Sequence, residues 1–308
     1  MRDLSNDVVV QVNKNGISYL QFKVLLNLGV KHAYVLKCDG FDLKNRGRIS
    51  TQEEEFKAFS GVCDCIGIDV NSVVRPIQKH TVNIKYVDKP YEHFLLKDID
   101  GLVTDKKDIA LATANADCIL YMLYDKRKKV ICNVHSGWRG SYQRIVEKAV
   151  DKMVNEFDSD PSDIIVCVCP SIRKCCFEVD QDVRDMFYER FSFLDNINDF
   201  ILNGYKEGKF FIDTVGINNC LLKNKGIEAR NIYDSDICSV CNGDMIHSRR
   251  LEGPEYGLCS AIISLWGKET RQGNKARGRT LCLISLPQLG TILVCFLGVM
   301  WYNPLIIK

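Results

Sequence analysis

Apolar and polar positions change period repeatedly along this chain, and each change marks an element. Residues 8–12 read as a strand, Asn13-Lys14-Asn15-Gly16 supplies turn chemistry, and residues 17–26 continue apolar, which predicts a hairpin over 8–28. Ser50 followed by Glu53 gives a capping-box signature, and Phe56, Phe59, Cys63 and Ile66 then recur at helical spacing. A helix over 51–67 with those four side chains on one buried face is expected. Residues 81–87 alternate like a strand, with Val82, Ile84 and Tyr86 on one face. Residues 119–124 and 130–134 are apolar runs separated by Asp125-Lys126-Arg127-Lys128-Lys129, the pattern of a hairpin with a charged turn.

Downstream, Ser141 is placed to cap a helix running to about 157, with Ile145, Val146, Ala149, Val150 and Met153 inward. A buried strand at 164–169, a helix at 179–193, a short strand at 209–212, a helix at 215–223 and a final strand at 261–265 follow. Strands and helices alternate without a regular βαβ period or a Gly-rich phosphate loop. The expected fold is mixed α+β, with mixed sheets flanked by helices in a single domain over 1–266. Residues 267–280 read as a polar linker. Residues 281–308 form a hydrophobic tail whose apolar run, 281–301, is long enough to span a membrane, although Pro287 and Gly290 weaken it as a helix. An anchor, an extra buried element and a tail without a selected role all fit it. Membrane contact is expected through this tail only.

Charge narrows the function. Lys and Arg number 41 against 39 Asp and Glu, so no basic field favours nucleic acid. The chain has 15 Cys and no apolar signal segment at its N-terminus, which predicts reduced thiols and a cytoplasmic protein. Several cysteines alternate within apolar runs as small core residues, as in Val166-Cys167-Val168-Cys169. Cys238 and Cys241 form a lone Cys-x-x-Cys, read as structural because no second such pair accompanies it.

The candidate chemistry lies in Gln78-Lys79-His80, Asn115-Ala116-Asp117-Cys118 and Val134-His135-Ser136-Gly137-Trp138-Arg139-Gly140. Cys118 precedes one strand of the predicted hairpin and His135 ends the other, so antiparallel pairing brings both to the same end. A thiolate with two imidazoles suits Zn²⁺, and three protein ligands leave a fourth position open for chemistry. Copper is the alternative metal. Asp117, if extended, points away from Cys118 and would support a neighbouring group or cap a turn; direct catalysis is the other reading. Arg139 is placed to contact a phosphate or carboxylate. Of the adjacent Arg249 and Arg250, one is expected at the pocket.

These segments, with the block from Cys169-Pro170-Ser171-Ile172 to Phe177-Glu178-Val179 and Cys238 followed by His247-Ser248-Arg249-Arg250, resemble the signatures of the multicopper polyphenol oxidase, or laccase-domain, family. Its members are also described as purine nucleoside phosphorylases and peptidoglycan editing factors. The resemblance covers about 8–265 and implies a metal bound by His80, Cys118 and His135. It implies phosphorolysis of nucleosides such as adenosine and inosine, or adenosine deamination, with purine nucleoside and phosphate as small-molecule partners. Two alternatives accompany it: copper-dependent phenol oxidation, which sits poorly with five His in the whole chain, and a cell-wall precursor hydrolase using Cys118 as nucleophile. The segment beginning His32-Ala33-Tyr34 matches the family's early motif, so His32 is carried over as a site residue. Lys37 stands there where Arg is usual, and offers phosphate a point charge instead of a planar fork. The tail has no counterpart in the family pattern.

Overall fold

The computed structural model describes residues 2–41, 43, 51–92 and 95–265. The expected linker and tail, and Ser50, lie outside the described residues. Among those described, no helix is long and apolar enough to cross a membrane.

The expected hairpin at the centre of the chain is present. Ile119–Asp125 and Val130–Ser136 pair antiparallel, with Leu120 opposite His135 and Ile119 opposite Ser136. Both strands are buried along their whole length, which explains their nearly uninterrupted apolar runs. Leu120, Met122, Tyr124 and Ile131 pack into a core shared with a second sheet. Ile119, Tyr121, Leu123, Cys132 and Val134 pack on the other side against the helices Ile145–Phe157 and Thr214–Asn224.

The hairpin lies within a six-stranded mixed sheet, flanked by Ile164–Val168 on one side and Gly101–Thr104 on the other. The facing six-stranded sheet contains Val9–Lys14, Ile17–Phe22, Lys31–Val35, Cys259–Ser264 and Ala110–Asn115, and the helix Gln52–Ile66 covers its outer face. The order is therefore helix, sheet, sheet, helices, a mixed α/β fold as expected. Asn133 ties the sheets together. Its Nδ2 donates to the carbonyls of Leu111 and Ala261, each at 2.9 Å, and its Oδ1 accepts from the Thr113 hydroxyl at 2.6 Å. All its bonding groups are thus used in the dry interior, where an unmatched amide would cost about 1–3 kcal/mol. A small sheet of Glu178–Asp180, Lys209–Ile212 and Ile201–Asn203 lies apart from the two large ones.

Several local expectations are corrected. The capping box is one residue later: Thr51 accepts from the Glu54 amide at 3.2 Å, and the Glu54 carboxylate accepts from the Thr51 amide at 2.8 Å. On that helix Phe59, Cys63 and Ile66 are buried but Phe56 is exposed, and Glu55 takes an inward place because it pairs with Arg75. The apolar run after Gly16 divides into a strand, Ile17–Phe22, and a short helix, Lys23–Asn27. The strand expected at 81–87 is reduced to Ile84–Tyr86. Ser141 is not a cap. It lies inside the short helix Trp138–Tyr142, fully buried, with its hydroxyl 3.0 Å from that of Ser136 and accepting from Asn218 at 2.9 Å. The longer helix starts only at Ile145, after Arg144 adopts a left-handed conformation.

Candidate active site

Side chains alternate across a strand, so His135 shares the sheet-facing side of its strand with Asn133 and Ile131. At the strand end it meets Cys118, which immediately precedes the partner strand. His80 approaches from a loop. The donor atoms of His80, Cys118 and His135 all lie within 4.8 Å of one another. Cys118 Sγ is 3.6 Å from His80 Nε2, and the two imidazoles meet edge to face with centroids 4.9 Å apart.

Asp100 holds this arrangement. It is fully buried, and its Oδ1 accepts from His135 Nδ1 at 2.8 Å. The same carboxylate accepts from the backbone amides of Lys79, His80 and Thr81 at 3.2, 3.0 and 2.7 Å. The His135 contact fixes the tautomer and leaves Nε2 for the cluster. Burial raises the Asp100 carboxyl, but His135 and Thr81 outweigh it and leave it below the usual carboxylate range. Burial likewise raises the Cys118 thiol, yet the neighbouring imidazoles of His135 and His80 bring it down to about 6. For His135 burial lowers the pKa, and the Cys118 thiolate and Asp100 reverse this, raising it to about 9. The thiolate so favoured is the form that ligates metals and attacks electrophiles.

The backbone around the cluster is constrained. His80 and Asp117 both have positive φ, 59° and 83°, which non-glycine residues seldom adopt. A Cβ on Gly137 would collide with the His80 ring and stand 3.1 Å from Cys118 Sγ, so a side chain there would fill the space beside the donors. One Cys and two His around a space that a methyl group would occupy fit a zinc ion in donor type and number.

The cluster opens onto a cleft of about 650 Å³. Trp138, Phe177 and Val179 give it apolar walls, and Arg139, Arg249 and Arg250 line it with positive charge. The Arg139 guanidinium lies 4.2 Å from the Trp138 ring centroid. Neither Arg139 nor Arg249 has an acidic partner among the described residues. Arg250 is held by the carbonyls of Cys176 and Glu178 at 3.4 and 3.2 Å.

Asp117 also lines the cleft, and its positive φ shows that it is not in extended chain. Its Oδ1 accepts from the Ser239 hydroxyl at 2.6 Å and its Oδ2 from the Arg250 amide at 2.8 Å. It therefore fastens the loop bearing Cys118 to the segment bearing the arginines. His32 and Lys37 are not brought to the cleft. His32 is fully buried, accepting from the Phe22 amide at 2.7 Å, with its Nδ1 2.9 Å from the Val30 carbonyl. Burial lowers its pKa to about 4. Lys37 pairs with Glu252 at 3.3 Å, and its ammonium faces that carboxylate instead of the cavity. Asp100 and Ser239 had no distinctive pattern in the sequence; the only sign of Asp100 was an acid beside a glycine, just before a strand.

The fold and site define a mixed α/β protein with a His–Cys–His cluster at the base of an open, arginine-lined cleft. The chain belongs to the multi-copper polyphenol oxidoreductase laccase family, whose model matches residues 51–266. It is 30% identical over 199 residues to an adenosine deaminase from an unknown prokaryotic organism, covering 62% of this chain and 74% of that one. It is 34% identical over 165 residues to a purine nucleoside phosphorylase of Clostridium acetobutylicum, covering 53% and 66%. The hypothetical protein YfiH of Bacillus licheniformis has the same fold, with a TM-score of 0.73 at 24% identity, over 84% of this chain and 99% of that one. Family and relatives together identify an enzyme family that includes members acting on small nucleosides.

Proposed function

We propose that this protein is a zinc-dependent enzyme of purine nucleosides that releases the base by phosphorolysis. The observation that carries this reading is the placing of a three-donor cluster beside a cleft lined by two arginines, Arg139 and Arg249, that have no acidic partner among the described residues. A flat purine suits the apolar walls of Trp138 and Phe177, and phosphate suits the guanidinium fork of Arg139. Zinc held by His80, Cys118 and His135 would supply Lewis acidity and lower the pKa of water in the cleft. Asp100 fixes the His135 ring and the His80 loop before substrate arrives. Asp117, tied to Ser239 and the Arg250 amide, fixes the opposite edge. Arg139 would orient phosphate toward the ribose C1′, where positive charge develops as the base departs.

The open donor cluster also supports adenosine deamination, the activity in the name of one relative. Product analysis separates the two. Incubation with adenosine and with inosine, each with and without phosphate, should give free base and a ribose phosphate only when phosphate is present. Ammonia from adenosine without phosphate would place deamination first.

A second reading rests on the Cys118–His135 contact itself. A thiolate beside an imidazole is the pair that a nucleophilic hydrolase uses, which is the basis for the cell-wall precursor alternative. A sulfur bound to metal cannot serve as a free nucleophile, so zinc at Cys118 excludes it. Copper-dependent phenol oxidation draws on the family description, but the site places one Cys and two His in a chain with five His in all.

A further inference from the structure

Four cysteines outside this cluster converge from two segments far apart in sequence. The sulfurs of Cys175, Cys176, Cys238 and Cys241 all lie within 4.8 Å of one another. Cys176 and Cys241 are 3.6 Å apart and Cys175 and Cys241 3.8 Å. Tetrahedral zinc with Zn–S bonds of about 2.3 Å holds its sulfurs about 3.8 Å apart. A disulfide would bring two sulfurs to about 2.05 Å; all four are free thiols, and pairing two would not account for the convergence of four.

We propose that Cys175, Cys176, Cys238 and Cys241 bind a second zinc ion in a closed tetrathiolate site with a structural role. The lone Cys-x-x-Cys of the sequence thereby gains its second pair, from two adjacent cysteines instead of another Cys-x-x-Cys. Binding would release the protons of those thiols still protonated and change no oxidation state. Four protein ligands leave no open position, so this site adds no chemistry of its own.

Its position says what it would hold. The two segments already pair: the Ser171 amide donates to the Ile237 carbonyl at 3.2 Å, and the Ser239 amide donates to the Ser171 carbonyl at 3.0 Å. Ile172 and Phe177 of the first segment line the cleft. Ser239, between the two ligands of the second, donates to Asp117. A zinc ion would therefore fasten the cleft wall bearing Ile172 and Phe177 to the segment whose Ser239 holds Asp117, while sharing no residue with the His80, Cys118 and His135 cluster.

The test uses the full chain, purified without added metal. Elemental analysis should give about two zinc per chain. Cys118→Ala with His135→Ala should retain about one, and Cys175→Ser with Cys241→Ser should lose that one while keeping the other. X-ray absorption of the unaltered protein needs no folded variant: two sites of these compositions average about 2.5 sulfur ligands per zinc, against one for the His–Cys–His site alone. Retention of zinc in the first double variant with a sulfur-only shell supports the proposal even if nucleosides prove inert. A folded first double variant without zinc, a one-sulfur average in the unaltered protein, or a disulfide among these four cysteines in the freshly isolated protein overturns it.

Discussion

Asp100 Oδ1 lies 2.8 Å from His135 Nδ1 and 3.0 Å from the His80 backbone nitrogen, so one buried oxygen positions both histidines of the cluster. The other oxygen accepts from the Thr81 amide and hydroxyl, each at 2.7 Å. Asp100→Asn would turn an amide NH₂ toward some of these donors. Zinc affinity should fall about ten- to a hundredfold, as for other groups that orient metal-ligating imidazoles. Competition against a chromophoric chelator measures this, and unchanged affinity would show that Asp100 only closes the loop.

Gly137 faces the donors so closely that even a methyl group has no room. Gly137→Ala should displace His80 and lower zinc content while the hairpin, whose pairing ends at Ser136, stays folded. Zinc analysis beside circular dichroism checks both halves. Full zinc content in a folded Gly137→Ala protein would place the ion away from this space.

That hairpin was legible because its strands are buried on both faces and bounded by a charged turn, and its ends predicted that Cys118 and His135 would meet. The His80 loop and Asp100 were less legible. Their geometry depends on a carboxylate bonding three consecutive amides, which leaves no periodic trace. Phe56 misled for a related reason: helical spacing cannot reveal that Glu55 is turned inward by Arg75. His32 and Lys37 lie outside the lining of the cleft because of tertiary context, since one ring bonds backbone groups and the other side chain pairs with Glu252. The second cysteine cluster was hidden because its pairs lie far apart and differ in spacing.

His32 makes a prediction about pH. Its folded pKa of about 4 lies below the model-peptide value of about 6.5. A histidine held neutral by burial contributes stability that is complete above the unfolded pKa and is lost as pH falls through the folded one. Between about pH 6.5 and 4 the unfolded chain binds the extra proton, so stability should decline by up to roughly 3 kcal/mol. Denaturant unfolding at pH 7, 5.5 and 4.5 measures the slope. His32→Gln should start less stable and lose less over that window; an equal slope in both proteins would assign the acid limb to other groups.

Arg139 should carry phosphate. Arg139→Ala is expected to raise the phosphate concentration needed for half-maximal rate about ten- to a hundredfold, for one charge-assisted contact of about 1.5–3 kcal/mol. Lys37→Arg should leave that concentration nearly unchanged, because Lys37 faces Glu252. Titrating phosphate against initial rate in both variants tests the pair. Unchanged phosphate dependence in Arg139→Ala would move phosphate to Arg249.

In the proposed function, the His80, Cys118 and His135 cluster holds the zinc that makes nucleoside turnover possible. The most direct measurement removes metal from the full chain with a chelator and follows purine release from inosine, in phosphate, as zinc is returned. The rate should be near zero in stripped protein, rise with zinc bound and level off at full occupancy, while His80→Ala stays flat throughout. Full turnover in stripped protein, or a rise of equal size in His80→Ala, would contradict the claim.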